Sequence, residues 1–205
     1  MDNKSPLNPE QLVERARAGN QEALSDLLDL YRNYLKLLAR VHVNANLQAK
    51  ADPSDLVQET YLQAVRDFPH FNGCSEAEFV AWLRRILANT GAVMIRKYKS
   101  AQSRDIDREQ RFQRQLDRSS IALGALLESP DPSPSQIAAR REAVVVLADA
   151  LARLPEHYRE VLVLHHLEGL PLTEVAGRMG CTIAAAKGLR TRAVLQLRTL
   201  LKEPT

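Results

Sequence analysis

The sequence predicts an all-α fold of two small helical domains joined by a flexible, proline-rich linker. Glycine is scarce, at eight of 205 residues, in a chain rich in helix-forming residues. No segment alternates polar and apolar residues as a half-buried strand does. Three prolines stand within five residues, at positions 130, 132 and 134, and they interrupt the helical pattern and indicate a linker.

The first half of the chain contains four predicted helices with clear start signals. Asp52 can cap a helix whose first position is Pro53. Ser75 and Glu78 have the spacing of a capping box. The predicted helices cover Pro9–Gly19, Gln21 to about Val43, Asp52 to about Phe68, and a stretch that opens at Ser75.

The second half contains four further predicted helices. Pro155 and Pro171 occupy first-turn positions, and Gly169 and Gly180 lie at helix ends. The predicted helices are Ile137–Leu154, Glu156–Leu167, Leu172–Met179 and Ile183–Leu201. We therefore divide the chain into a domain at 1–100, a linker at 101–136 and a second domain at 137–205.

Composition narrows the class of protein. Cys74 and Cys181 are the only cysteines, too few for a disulfide framework, so we expect a reducing cytoplasmic location. No apolar run approaches the ~18 residues of a membrane span. The polar segment Met1–Glu10 has no apolar core of a secretory signal. We therefore expect no contact with a membrane.

The distribution of charge says more than the net charge of +3. Five basic residues and no acidic ones lie between Arg84 and Lys99, and the same is true between Lys187 and Lys202. Two basic stretches, one in each half, favour a polyanion bound at two places. Two solvated helix faces would give the same pattern.

The stretch from Leu172 to Ile183 has the layout of a helix-turn-helix. We expect Val175, Ala176 and Met179 to pack inward before the turn, and Ile183 and Ala186 after it. On the opposite arc of the last helix the residues are small, which lets a helix enter a major groove. Lys187 and Arg192 can there reach phosphates or guanine edges. The alternative is a plain helical hairpin with a basic surface.

The predicted third helix has two different faces. Asp55, Gln58, Glu59 and Leu62 form an acidic, partly apolar stripe that suits docking to a basic helical partner. A solvated helix face is the alternative. The opposite stripe is the predicted core face, formed by Val57, Tyr61, Ala64, Val65 and Phe68.

Four segments, in order, resemble sigma factors of the extracytoplasmic-function (ECF) group. Residues 55–60, Asp-Leu-Val-Gln-Glu-Thr, resemble the motif that binds core RNA polymerase. The apolar spacing of residues 79–89, followed by Arg96-Lys97, is similar to the helices that melt promoters and read the minus-ten element. Residues 151–169 resemble the opening of the fourth sigma domain, and 172–176 resemble the helix-turn-helix that reads the minus-thirty-five element.

The resemblance implies a sigma factor that directs promoter-specific initiation, with 1–100 as sigma domain 2 and 137–205 as sigma domain 4. The implied partners are core RNA polymerase and promoter DNA, with an anti-sigma factor as a candidate third. The implied core-polymerase-binding residues are Asp55, Gln58, Glu59 and Leu62. The implied minus-ten residues are Phe71, Asn72 and Asn89 around a flipped base and Arg84, Arg85, Arg96 and Lys97 on the strand backbone. The implied minus-thirty-five residues are Thr182, Ala185, Lys187, Gly188, Thr191 and Arg192.

Three positions depart from the family pattern. The family often has Arg where this chain has Leu189, an apolar residue where it has Arg190, and Asp where it has Val93. The departures at Val93 and Leu189 leave open a degenerate sigma relative that binds polymerase without opening promoters. A second alternative is a stand-alone helix-turn-helix regulator, which would have a ligand-binding or dimerisation domain in place of the docking face and melting helix of the first half.

Residues that could carry catalysis or bind a metal are sparse. His165 and His166 are adjacent, so a helix points their side chains ~100° apart, which is poor geometry for one metal ion. Phosphate-binding-loop, nucleophile-elbow and zinc-protease motifs are missing from the sequence. We therefore expect no enzyme activity, no catalytic residue, no cofactor and no metal site.

Overall fold

The structure, a computed structural model, describes residues 8–47, 52–98 and 134–202. Every regular element in these ranges is helical, which confirms the predicted all-α class. Contacts between Cα atoms divide the chain into two compact units, Met1–Leu116 and Asp117–Thr205. Within the described ranges, no helix combines the length and the apolar character needed to cross a bilayer.

The first unit contains five α-helices in its described ranges and one short 3₁₀ turn. Side-chain caps begin three of the helices, because Asn8, Asn20 and Asp52 accept hydrogen bonds from Glu10 N, Ala23 N and Ser54 N. The elements are α1 (Pro9–Arg17), α2 (Gln21–Leu30), α3 (Arg32–Leu47), α4 (Pro53–Asp67), the 3₁₀ turn (Phe68–His70) and α5 (Glu76–Tyr98).

The predicted single helix from Gln21 to Val43 is wrong, since the chain breaks at Tyr31 between α2 and α3. Tyr31 has φ −96° and ψ 5°, and its side chain is fully buried. Its hydroxyl donates a 2.6 Å hydrogen bond to Glu76 Oε1 at the start of α5. The break thus directs the Tyr31 side chain inward to Glu76, a partner far along the chain. A periodic pattern of apolar residues does not reveal such a contact.

The predicted capping box at the start of α5 is present. Ser75 Oγ accepts from Glu78 N at 3.3 Å, and Glu78 Oε2 accepts from Ser75 N at 3.1 Å. Helix α4 packs against α3 and α5, with Leu56, Val57, Thr60 and Ala64 buried. One long face of α4 therefore remains outside the core.

The second unit is a smaller helical assembly in which the last helix packs against three others. Its elements are α6 (Pro134–Arg153), α7 (Glu156–Leu162), a π-helical turn (Val163–Leu167), α8 (Leu172–Arg178) and α9 (Ile183–Lys202). Helix α6 begins at Pro134, inside the predicted linker, because proline fits the first helical position. Residues 99–133 lie outside the described ranges, so the boundaries at 100 and 136 stay predictions.

The predicted helix-turn-helix is formed by α8, a tight turn and α9. Gly180 has φ +63°, a left-handed conformation that glycine adopts without a steric cost. Cys181 N donates to Ala176 O at 3.0 Å and closes the turn. Val175, Ala176 and Ala186 are buried as predicted, but Ile183 is 45% exposed. Met179, also predicted to pack inward, is half-buried.

Candidate functional site

The predicted partner-docking stripe lies on the open face of α4. Asp55, Gln58 and Glu59 are exposed, and Leu62 is 49% exposed. In the predicted core stripe on the other side, Val57, Ala64 and Phe68 are buried and Tyr61 is half-buried, but Val65 is 53% exposed. Helix α4 packs mainly against α3 and α5, and its face near Val65 stays open.

The docking stripe forms one wall of a groove between α4 and α5. The groove has a volume of 560 Å³. Asp55, Glu59 and Asp67 make its α4 wall acidic, while Leu62 and the 42% exposed Val93 are apolar. An acidic groove with exposed apolar groups can receive a helix that carries basic and apolar side chains.

Helix α5 carries five of the predicted minus-ten residues, and the structure spreads them over different faces. Arg85 and Asn89 are exposed and lie four residues apart, on one face of the helix. Arg84 is half-buried. Arg96 and Lys97 belong to the last turns of α5, and their side chains lie outside the described part of the structure.

Phe71 belongs to a cluster of aromatic side chains at the start of α5. It is 7% exposed, and its ring centroid lies 5.0 Å from that of Trp82 and 5.7 Å from those of Phe68 and Phe79. Asn72, the next residue, is exposed. The aromatic cluster therefore fixes the backbone that presents the Asn72 amide.

Phe71 and Asn72 line a second groove, of 750 Å³, between the α1–α2 turn and the 3₁₀ turn. Arg17, Asn20 and the exposed Val65 also line it. Sequence reasoning did not connect these three residues with the loop, because only tertiary packing brings α1, α2 and α4 beside it. Asn89 lines the α4–α5 groove instead. The structure therefore does not place Asn89 beside Phe71 and Asn72.

Glu78 fastens the loop that carries Asn72. Its Oε2 accepts hydrogen bonds from the backbone N–H groups of Cys74 (2.9 Å) and Ser75 (3.1 Å) and from the Ser75 hydroxyl (3.0 Å). These bonds, the Cys74 N–H above all, lower the pKa of Glu78. The carboxylate therefore remains charged, and the loop fastened, through the neutral pH range.

The predicted minus-thirty-five residues lie together on the open side of α9. All are exposed except Gly188, which is half-buried. Thr182 caps the helix by accepting from Ala185 N at 3.2 Å, and Thr191 Oγ1 donates to Lys187 O at 3.1 Å. The Arg192 guanidinium lies near Gly188. A Cβ added at Gly188 would lie 3.8 Å from Arg192 Nη2, which is an ordinary van der Waals distance. The face thus combines cations with little side-chain bulk.

Within residues 8–47, 52–98 and 134–202, no group of three or more histidine, cysteine or acidic side chains has the geometry to hold a metal ion. Cys74 is exposed and Cys181 half-buried, and both are free thiols.

Comparisons with known proteins cover both units. Residues 30–112 match the family model of Sigma-70 region 2, and residues 145–197 match that of Sigma-70, region 4. The chain is 30% identical over 188 residues to the ECF RNA polymerase sigma-E factor of Haemophilus influenzae, covering 91% of this chain and 92% of that protein. It is 26% identical to the sigma-E factor of Escherichia coli K12, with 91% of both chains covered. Among solved structures it is similar to CnrH in complex with the cytosolic domain of CnrY, at 25% identity and a TM-score of 0.37, covering 96% of this chain and 99% of that one.

Gly73→Ala should destabilise the first unit, because the added Cβ would lie 2.7 Å from Phe71 Cε2 and 2.9 Å from Glu78 Cβ. Phe71 is wedged among other rings, so we expect a loss of about 1–3 kcal/mol in the free energy of unfolding. Urea titration followed by the fluorescence of Trp82, the only tryptophan, measures the loss. Wild type is the reference, and a Gly73→Ala variant as stable as wild type would contradict the close packing at Gly73.

Proposed function

This chain belongs to the ECF family of RNA polymerase sigma factors, which direct promoter-specific transcription, and we propose how its two units divide that work. The first unit binds core RNA polymerase and the minus-ten element, and the second reads the minus-thirty-five element. The observation that carries this proposal is that each unit buries one side of a helix and leaves a chemically distinct side open. A stand-alone regulator is not favoured, because the N-terminal half matches Sigma-70 region 2.

The α4–α5 groove is the proposed docking site for core polymerase. Asp55 and Glu59 supply negative charge, and Leu62 supplies an apolar contact that is half exposed in the free chain. A basic helical element of the polymerase would neutralise the carboxylates and cover the leucine. Electrostatic attraction would speed association, and burial of the leucine would slow dissociation.

The groove lined by Phe71 and Asn72 is the proposed site for an unstacked minus-ten base. An exposed amide next to a packed aromatic wall can hydrogen-bond the edge of a base and contact its face. Asn89 and Arg85, on one face of α5, would contact the separated DNA strand. Arg84, Arg96 and Lys97 would neutralise its phosphates. In this proposal, Asn89 acts apart from the Phe71–Asn72 groove.

The open side of α9 is the proposed reader of the minus-thirty-five element. Ala185 and Gly188 leave room for close approach to the floor of a major groove. Lys187 and Arg192 supply charge for phosphates or a guanine edge, and Thr182 and Thr191 supply hydroxyls. The proposed function involves no enzymatic step and no cofactor. Because its proposed partners are RNA polymerase and promoter DNA, the proposed location is the cytoplasm. An anti-sigma factor stays a candidate partner.

Asp55→Arg combined with Glu59→Arg should abolish association with core polymerase, because it reverses the charge of the docking groove. Both side chains are exposed, so the helical circular-dichroism signal and melting temperature should barely change. Glu10→Arg combined with Glu14→Arg on α1 is the matched control, with the same spacing, exposure and charge change. Pull-down with core polymerase measures the effect. Retention of core by the α4 double variant at wild-type affinity would show that this groove is not the docking site.

Arg192→Ala should weaken minus-thirty-five recognition at one base position, since it removes one exposed guanidinium from α9. A lost base contact costs ~1–3 kcal/mol, so transcription should drop on the preferred promoter while the preference at that position relaxes. Transcription in vitro from a promoter library measures both. Arg198→Ala, on the same helix two turns further, is the control. A uniform loss across all sequences would instead make Arg192 a phosphate contact.

Asn89→Ala should leave closed-complex formation intact and reduce the amount of permanganate-reactive, opened promoter. The reason is that its exposed amide would contact a base only after the strands separate. Because Asn89 also lines the docking groove, core binding has to be measured on the same variant. Gln63→Ala removes another amide from that groove and is the control. Weakened core binding, with normal opening once core polymerase is saturating, would assign Asn89 to docking.

A further inference from the structure

Two histidines and an arginine meet behind the DNA-facing side of α9. His165 and His166 belong to the π-helical turn, and their ring centroids lie 4.8 Å apart. Arg190 reaches them from α9, with Nη1 3.3 Å from His165 Nε2. All three side chains are half-buried.

The hydrogen bonds of His165 determine which ring nitrogen carries its proton. Nδ1 lies 2.8 Å from Leu170 O, and a carbonyl oxygen only accepts, so Nδ1 must donate. The Arg190 guanidinium only donates, so Nε2 must accept from it. Both bonds form together only when the imidazole is neutral with its proton on Nδ1.

Arg190 is placed for this contact and not for DNA. Ala186, Ala193 and Leu197 mark the buried side of α9, and Arg190 lies four residues after the first of them, on the same side. Lys187 and Thr191 point away from that side and are exposed. The cation at 190 therefore joins α9 to the turn that precedes the helix-turn-helix.

We propose that His165 is a positioning residue for promoter reading: in its neutral form it holds Arg190, and its protonation releases α9 from the turn. The proposal rests on the proposed role of α9 in reading the minus-thirty-five element. A protonated imidazole has N–H groups on both nitrogens. An N–H and a positive charge at Nε2 would then face the positive guanidinium, so the contact becomes repulsive.

Other charged groups near the pair come from the turn, α7 and α8. His166 faces the same pair, and its pKa is lowered, mainly by burial and then by the charges of His165 and Arg190. On α8, Arg178 forms ion pairs at 3.1 Å with Glu174 and with Glu168, which lies just after the turn. On α7, Arg159 donates to Ala152 O. Glu174 and Glu168 are thus paired with Arg178.

The two possible roles of His165 change DNA affinity in opposite directions when the pH falls. If His165 were merely one more cation, acidification would strengthen wild-type binding to DNA relative to a variant without the imidazole. If it positions α9, acidification weakens wild-type binding relative to that variant. His165→Gln is the informative variant, because its amide oxygen can accept from Arg190 and does not titrate.

The test compares full-length wild type with His165→Gln on a duplex that the wild type selects from a random-sequence pool, by fluorescence anisotropy at low salt. When the pH is lowered from about 8 to about 5.5, wild-type affinity should fall relative to the variant by about threefold to tenfold, the range of one lost hydrogen bond. His157→Gln, an exposed histidine on α7, should track the wild type at every pH. An unchanged ratio, or a wild-type gain at low pH, overturns the proposal.

Nitrogen NMR of the full-length chain tests the contact without DNA. The wild type should show the proton of His165 on Nδ1 near neutral pH, and Arg190→Met should shift the Nε2 resonance while Arg192→Met leaves it unchanged. A proton on Nε2, or no response to Arg190→Met, overturns the pairing. If Arg192→Ala leaves duplex affinity unchanged, the proposed role of α9 in reading DNA is wrong. The NMR experiment still tests the His165–Arg190 contact in that case.

Discussion

The ring of Phe79 is fully buried, and it contacts the rings of Tyr31, Phe68, Phe71 and Trp82. These residues come from the break between α2 and α3, the 3₁₀ turn, the loop that follows it, and α5. Their contacts hold distant segments of the chain at one point, and each aromatic pair adds about 0.5–1.5 kcal/mol beyond burial. Both grooves of the first unit border helices or loops that this cluster fixes, so the geometry of each depends on it.

In the second unit, small buried side chains hold the last helix, α9, against its neighbours. Helix α9 must pack on one side and approach a polyanion with the other. Buried alanines at 186 and 193 and a buried leucine at 197 let it lie close to its neighbours. The turn before α9 is closed by Gly180 and by backbone hydrogen bonds. The Arg190–His165 contact adds a polar link to this otherwise apolar seam.

In the first unit, two surfaces of different chemistry lie on neighbouring sides of one core. The α4–α5 groove is acidic and partly apolar, whereas the groove lined by Asn72 carries amides and Arg17. Polymerase and unstacked DNA demand opposite charges, so separate grooves let one small domain serve both. Asn89 lines the α4–α5 groove, the proposed docking site for polymerase. Under the proposed function, this placement would link strand opening to polymerase docking more closely than a common base pocket with Phe71 and Asn72 would.

The sequence by itself determined the helical class, the capping box of Ser75 and Glu78, the open stripe of Asp55 to Leu62 and the helix-turn-helix around Gly180. These follow from local spacing, because helical periodicity and capping depend on residues within a few positions of one another. Tertiary structure decided the break at Tyr31, the exposure of Val65, the separation of Asn89 from Asn72 and the pairing of His165 with Arg190. Each of these depends on partners far away in the chain: 45 residues separate Tyr31 from Glu76, and 25 separate His165 from Arg190. A hydrogen bond or a groove between such partners exists only once the helices have packed, and no local pattern encodes it.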